Sequence, residues 1–164
     1  MLKIIAFDFG HTLMNEHIDR QLPIDVRPVH LMPGLNALSK INVPFALWAN
    51  TRTAREADVR SWLDRAGLGS RFQWVITSVD AGARKPSPAF FQYALDRCGV
   101  AADDVLFVGN QLNTDVAGAE ACGIRTVWLS DAAYRSPDDE PCDARPTFTI
   151  PTLHELPTLL QRLT

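Results

Sequence analysis

No apolar run in this chain approaches the length of a bilayer span, and the amino terminus reads straight into a strand-like segment with no signal-peptide cleavage region. These absences predict a soluble, cytoplasmic protein with no membrane partner. Cysteine is scarce: Cys98, Cys122 and Cys142 are odd in number and show no metal-ligand spacing, which suits free thiols in a reducing compartment. Cys98 and Cys122 read most simply as core residues. Excess positive charge is missing too, with a formal net charge of −3, so no broad basic face is expected to hold a phosphate backbone. Nucleic acid is thereby excluded as a generic partner. There is no internal repeat and no low-complexity tract.

What the chain does contain is enough apolar residue for one sizeable core. At 164 residues and 46% apolar content, a single domain over 1–164 is expected. Strand-like runs at Leu2 to Phe7, Val43 to Trp48, Phe72 to Thr77, Val105 to Val108 and Thr126 to Leu129 alternate with helical patterns. The runs are continuously apolar, as strands covered on both faces are. The class predicted is α/β, a doubly wound parallel sheet in a three-layer α/β/α arrangement. Thr53 and Glu56 have capping-box spacing ahead of an apolar face at Val59, Trp62, Leu63 and Ala66. Ser87 and Pro88 read as N-cap and first helical position, with Gly99 as the stop. Ala117 to Ala121 predicts a short, closely packed helix. Thr152 to Glu155 repeats the capping spacing for a terminal helix that Pro157 would interrupt. Ser136 to Pro146 reads as an exposed loop, followed by a short edge strand at Thr147 to Ile150.

Chemistry-bearing residues gather where these strands end. Asp8 follows the first run in Asp8-Phe9-Gly10-His11-Thr12-Leu13, placing a carboxylate at the carboxyl end of a buried parallel strand, where open α/β sheets bind ligands. Trp48-Ala49-Asn50-Thr51 ends the second run, and Arg84-Lys85-Pro86-Ser87-Pro88 precedes a helix. Gly109-Asn110-Gln111-Leu112-Asn113-Thr114-Asp115 follows a later strand. In this order and spacing the four segments, over roughly residues 1 to 130, resemble the motifs of the haloacid dehalogenase (HAD) superfamily of aspartate-nucleophile hydrolases. Lys85 to Phe90, Lys-Pro-x-Pro-x-Phe, is the most specific piece, and Lys85 is one of only three lysines.

The resemblance implies a Rossmann-like HAD core in which Asp8 is the nucleophile and forms a covalent aspartyl ester, and Lys85 offsets charge beside it. It implies magnesium held by Asp8, the Gly10 carbonyl, Asn110 and Asp115, and a substrate contacted by Thr12, Asn50, Thr51 and Arg52. Three positions depart from the family pattern. Gly10 stands where phosphatases of the superfamily carry an aspartate as general acid/base, a loss typically worth about 10² to 10⁴-fold in rate. His11, its neighbour, is a candidate replacement proton donor, against the plainer reading of a hydrogen-bonded loop histidine. Ala49 replaces a Ser or Thr that donates to the phosphoryl group, leaving the backbone amides of Asn50 and Thr51 as an anion-binding turn. Arg52 reads equally as an anion ligand or an exposed helix-leading arginine. Asn110 replaces the first acid of the fourth motif, so magnesium binding is expected but weakened. Asp115 reads as a metal-site carboxylate or a helix-start one.

The spacing also leaves no room for a full cap domain between Thr12 and Pro33 or between Lys85 and Gly109. The function expected is a magnesium-dependent phosphatase acting on a small phosphate ester or other anionic substrate. Alternatives are a metal-independent carbon–halogen hydrolase, or a silent fold kept as a binding or regulatory module. The oligomeric state is not legible.

Overall fold

Every residue of β1 (Ile4–Phe7), β2 (Phe45–Ala49) and β4 (Val105–Gly109) is buried, because helical segments cover both faces of the sheet. The computed structural model describes residues 1–137 and 139–163. With β3 (Phe72–Thr77), β5 (Arg125–Leu129) and β6 (Phe148–Ile150), the strands form one sheet in the order β3-β2-β1-β4-β5-β6, every pairing parallel. The helices are α1 (Glu56–Arg65), α2 (Ser78–Ala81), α3 (Pro88–Cys98), α4 (Gly118–Ala121) and α5 (Leu156–Gln161).

Side-chain alternation explains the two layers. Ile5 and Phe7 of β1 pack with Trp62 and Leu63 of α1, with the 3₁₀ turn Leu35–Lys40 and with Leu156 of α5. Ile4 and Ala6 face the other way, against Phe90 and Phe91 of α3 and Ala119 of α4. This is the doubly wound α/β/α arrangement that the continuous apolar runs predicted. The chain builds outward through β1, β2 and β3, then returns to place β4 on the other side of β1. A crevice therefore opens beyond the carboxyl ends of β1 and β4, the switch point at which such sheets bind ligands.

Local signals held with two exceptions. Helix α3 begins at Pro88 and stops at Gly99, whose φ of 67° is the left-handed conformation glycine adopts freely. The capping box before α1 lies two residues beyond the Thr53 spacing: Asp58 accepts from the Arg55 amide, and the Asp80 carboxylate from the Glu56 amide at 2.8 Å. A carboxylate from a neighbouring helix outcompeted the local threonine. At the other end, Thr152 and Glu155 do form a capping box, on a 3₁₀ turn, and Pro157 sits in the first turn of α5, where its missing amide costs nothing. The expected edge strand is β6, and the short helix after β4 is α4, entered through a π-helical turn over Leu112–Ala117. Cys98 is buried, Cys122 half-buried and Cys142 exposed, all as free thiols.

Between β1 and residue 35 the described residues contain turns and isolated bridges, with Met14 paired to both Gly10 and Leu31. This segment is tied down by arginines: Arg65 of α1 donates to the carbonyls of Arg27 and Ile24, at 2.7 and 2.9 Å, and Arg27 donates to those of Arg20 and Leu22. Among the described residues no helix is long and apolar enough to cross a membrane.

Candidate active site

Asp8 leaves the end of β1 with its amide donating to the Val108 carbonyl of β4, so its carboxylate enters the crevice between the two strands. Lys85 reaches the same point from the segment before α3. Its ammonium lies 2.6 Å from Asp8 Oδ1 and 2.7 Å from Asp115 Oδ1. The Lys85 side chain is 1% exposed, that of Asp115 2% and that of Asp8 13%, so only Asp8 of the three faces solvent to any degree.

Backbone geometry fixes this triad. Asn50, one residue past β2, grips the Lys85 main chain twice: Nδ2 donates to the Lys85 carbonyl and Oδ1 accepts from the Lys85 amide, both at 2.9 Å. Gly118 at the start of α4 admits a close approach to the residue after Lys85, since a Cβ there would stand 2.9 Å from Pro86 Cα. Gly109 does the same for Asp115, whose Oδ2 would be 2.6 Å from a Cβ at that glycine and accepts from the Gln111 amide at 3.0 Å.

The charges are mutually dependent. Burial alone would push the Lys85 proton off, but the carboxylates of Asp115 and Asp8 outweigh it and hold the ammonium above the ordinary lysine range. Burial, and then the nearby Asp8 carboxylate, push Asp115 up to about 6 against the pull of Lys85. Two carboxylates here share one cation.

A second set of atoms faces Asp8 Oδ2. The buried Asn110 side chain places one terminal atom 3.3 Å from Asp8 Oδ2 and 3.2 Å from the Gly10 carbonyl oxygen. With its nitrogen there, the amide donates to both oxygens. With its oxygen there, three oxygens converge, while the nitrogen donates to the Tyr134 carbonyl at 3.4 Å. Neighbouring oxygens of an octahedral magnesium shell are about 3 Å apart, so the second orientation is a fitting hard-donor set with one charge fewer than a paired-aspartate site. Among the described residues no group of three or more His, Cys, Asp and Glu side chains is placed to hold a metal. The fit rests on an amide and a backbone carbonyl.

Other expected residues divide. Thr12 is buried with Oγ1 3.5 Å from Asp8 Oδ2. The Thr51 amide is not available to an anion, because it donates to Ser78 Oγ at 2.9 Å, and the Thr51 hydroxyl donates to the Ala54 carbonyl. Asn50 is committed to Lys85, so it positions the lysine instead of meeting substrate. Arg52 is exposed. His11 sits beside the crevice with φ of 53°, its ring 4.6 Å from that of His17 and 6.1 Å from that of Tyr134. Burial, then the charges of His17 and Arg20, lower its pKa to about 4. Near neutral pH its imidazole holds no spare proton, which weakens its candidacy as an acid. Tyr134 and Ser78 carry no motif, and only the folded chain reveals their places.

Residues 82–156 match the HAD-hydrolase-like family model. The chain is 36% identical over 99 residues to the pyrimidine 5'-nucleotidase YjjG of Escherichia coli K12, covering 60% of this chain and 42% of that one. It is 31% identical over 144 residues to phosphoglycolate phosphatase 1 of Pseudomonas aeruginosa, covering 87% and 50%. The chain thus spans about half the length of the curated relatives it matches. An uncharacterized protein from Listeria monocytogenes serotype 4b has the same fold, with a TM-score of 0.83 at 23% identity over 99% of this chain and 98% of that one. The strand-end carboxylates, the parallel order of the sheet and these similarities agree: the chain belongs to the haloacid dehalogenase-like superfamily of hydrolases.

Proposed function

We propose that this protein is a magnesium-assisted phosphohydrolase of small phosphate esters, with Asp8 as the nucleophile, acting from a single core domain without a full cap domain. The observation that carries the reading is the Asp8 carboxylate held at a strand end with Lys85 on one oxygen and the Asn110 side-chain amide, which also meets the Gly10 carbonyl, on the other. Phosphatases among its relatives support the substrate class.

Asp8 attacks phosphorus and forms an aspartyl phosphate, dividing one displacement into two. Lys85 orients the Asp8 carboxylate, and its positive charge offsets that of the incoming phosphoryl group. Asp115 and Asn50 hold Lys85 from two sides, one through its ammonium and the other through its main chain. Asp8, the Gly10 carbonyl and Asn110 would hold magnesium, which when bound neutralises phosphoryl charge, whereas the two oxygens of Asp115, expected as a further ligand, are taken by Lys85 and the Gln111 amide. Thr12 steadies Asp8 through its hydroxyl, 3.5 Å from Oδ2. His11, Thr12, Asn110 and Tyr134 line a cavity next to the nucleophile.

One observation favours a second reading. With the Asn110 nitrogen turned inward the site closes on itself by hydrogen bonds, without a cation. That is the arrangement a metal-independent carbon–halogen hydrolase would use. A panel of phosphate esters and 2-haloacids, assayed with magnesium and with chelator, separates the two. Magnesium-dependent phosphate release that disappears in Asp8→Asn is expected. Chelator-resistant halide release would replace the first reading with the second, and a panel without Asp8-dependent turnover would leave a binding or regulatory module.

A further inference from the structure

Gly10 lacks a side chain, but the space beside it is filled. A Cβ built at Gly10 would overlap the carboxyl carbon of Glu16 and stand 2.5 and 2.7 Å from its two oxygens, closer than real Cβ atoms come. The turn responsible is short: Met14 bridges back to Gly10, and the Glu16 amide donates to His11 Nδ1 at 3.4 Å. A carboxylate therefore stands where an acidic side chain at position 10 would begin, delivered from six residues further along. Gly10 also presents its carbonyl to the Asn110 atom that faces Asp8 Oδ2, so the residue beside this notch is itself next to the nucleophile. Glu16 as a residue is half-buried.

We infer that Glu16 is the general acid/base of this active site, supplying from the covering loop the carboxyl group that Gly10 cannot carry. The inference rests on the phosphohydrolase reading. In the first half-reaction an Asp8 oxygen forms a bond to phosphorus while the bond from phosphorus to the ester oxygen breaks. The carboxylic proton of Glu16 passes to that oxygen, and a neutral alcohol leaves. In the second, a water oxygen attacks the phosphorus of the aspartyl phosphate and its proton goes to the Glu16 carboxylate. The bond from phosphorus to Asp8 breaks, its electron pair returns to Asp8, and inorganic phosphate departs. Both protons are accounted for by one residue.

A side chain at position 10 and Glu16 in its present place exclude one another, so the acid has one seat and two possible donors.

The test is single-turnover kinetics on a series of phosphate esters running from nitrophenyl to alkyl leaving groups, with Asp8→Asn as the blank. Glu16→Gln is expected to slow alkyl esters by about 10² to 10⁴-fold and nitrophenyl esters much less, steepening the dependence on leaving-group pKa. Gly10→Asp combined with Glu16→Ala is expected to be flatter than Glu16→Ala alone. Equal slopes for wild type and Glu16→Gln, with Asp8-dependent turnover intact, overturn the role of Glu16 and leave the phosphohydrolase reading standing. Absence of any Asp8-dependent turnover overturns both. A readout free of activity tests the shared seat: Gly10→Asp should destabilise the wild-type background more than the Glu16→Ala background. Additive stability changes would overturn the placement.

Discussion

Two carboxylates in this molecule occupy notches left by glycines, and they are held in opposite ways. Asp115 enters the space beside Gly109 at the end of β4, where Lys85 and the Gln111 amide bind it and solvent barely reaches it. Glu16 enters the space beside Gly10 from an irregular segment and remains half exposed. One notch belongs to the rigid sheet and the other to the covering loop. The difference teaches a division of labour: a group that orients another is placed in the core, while a group that must exchange protons with water is placed where water can reach it.

The comparison is broken or sharpened first by removing the cation of the rigid side. Lys85→Met leaves the buried Asp115 and the partly buried Asp8 without a counter-charge, and is expected to cost about 3–5 kcal/mol in urea denaturation. The same measurement on Glu16→Ala should move stability by no more than about 0.5 kcal/mol. Similar costs for both would mean that the two notches are not differently built. A smaller effect is expected from pH. Folded Asp115 keeps its proton to about 6, whereas an unfolded aspartate loses it near 3.9, so the folded state binds more protons between those values. Its contribution is complete below about 4 and is lost as pH rises through 6, on the order of 3 kcal/mol. Asp115→Asn should flatten that stretch of the stability profile, and an unchanged slope would assign it to another group. The smallest effect concerns the metal. Asn110→Asp adds an anionic oxygen to the set, and calorimetric titration should show magnesium binding at least about tenfold tighter, or about 1.4 kcal/mol. No tightening would mean that position 110 does not face the ion.

Much of the rigid side was legible in the sequence. Strands buried on both faces must be apolar throughout, so β1 to β5 announce themselves, and Lys85 stood out through its Pro-x-Pro setting. Lys85 lies beside Asp8, as the family resemblance implied, and also binds Asp115. The loop side was not legible. Glu16 reaches Gly10 because of a chain reversal that pairs Met14 with two partners, and no residue type at 14 to 16 encodes that reversal. Long-range competition misled in the same way elsewhere: Ser78 claims the Thr51 amide and Asp80 the start of α1, each from a different element than the one being read.

Trp128 on β5 donates its indole N–H to the Asn110 carbonyl at 3.0 Å. Trp48 and Trp62 lie in the two core layers, away from any such link. The protein therefore carries its own optical probe: an indole bonded to the main chain of the residue whose side-chain amide stands beside Asp8. Its emission can register occupancy of the crevice before any substrate is known, which frees the search for ligands from the need for a reaction to watch.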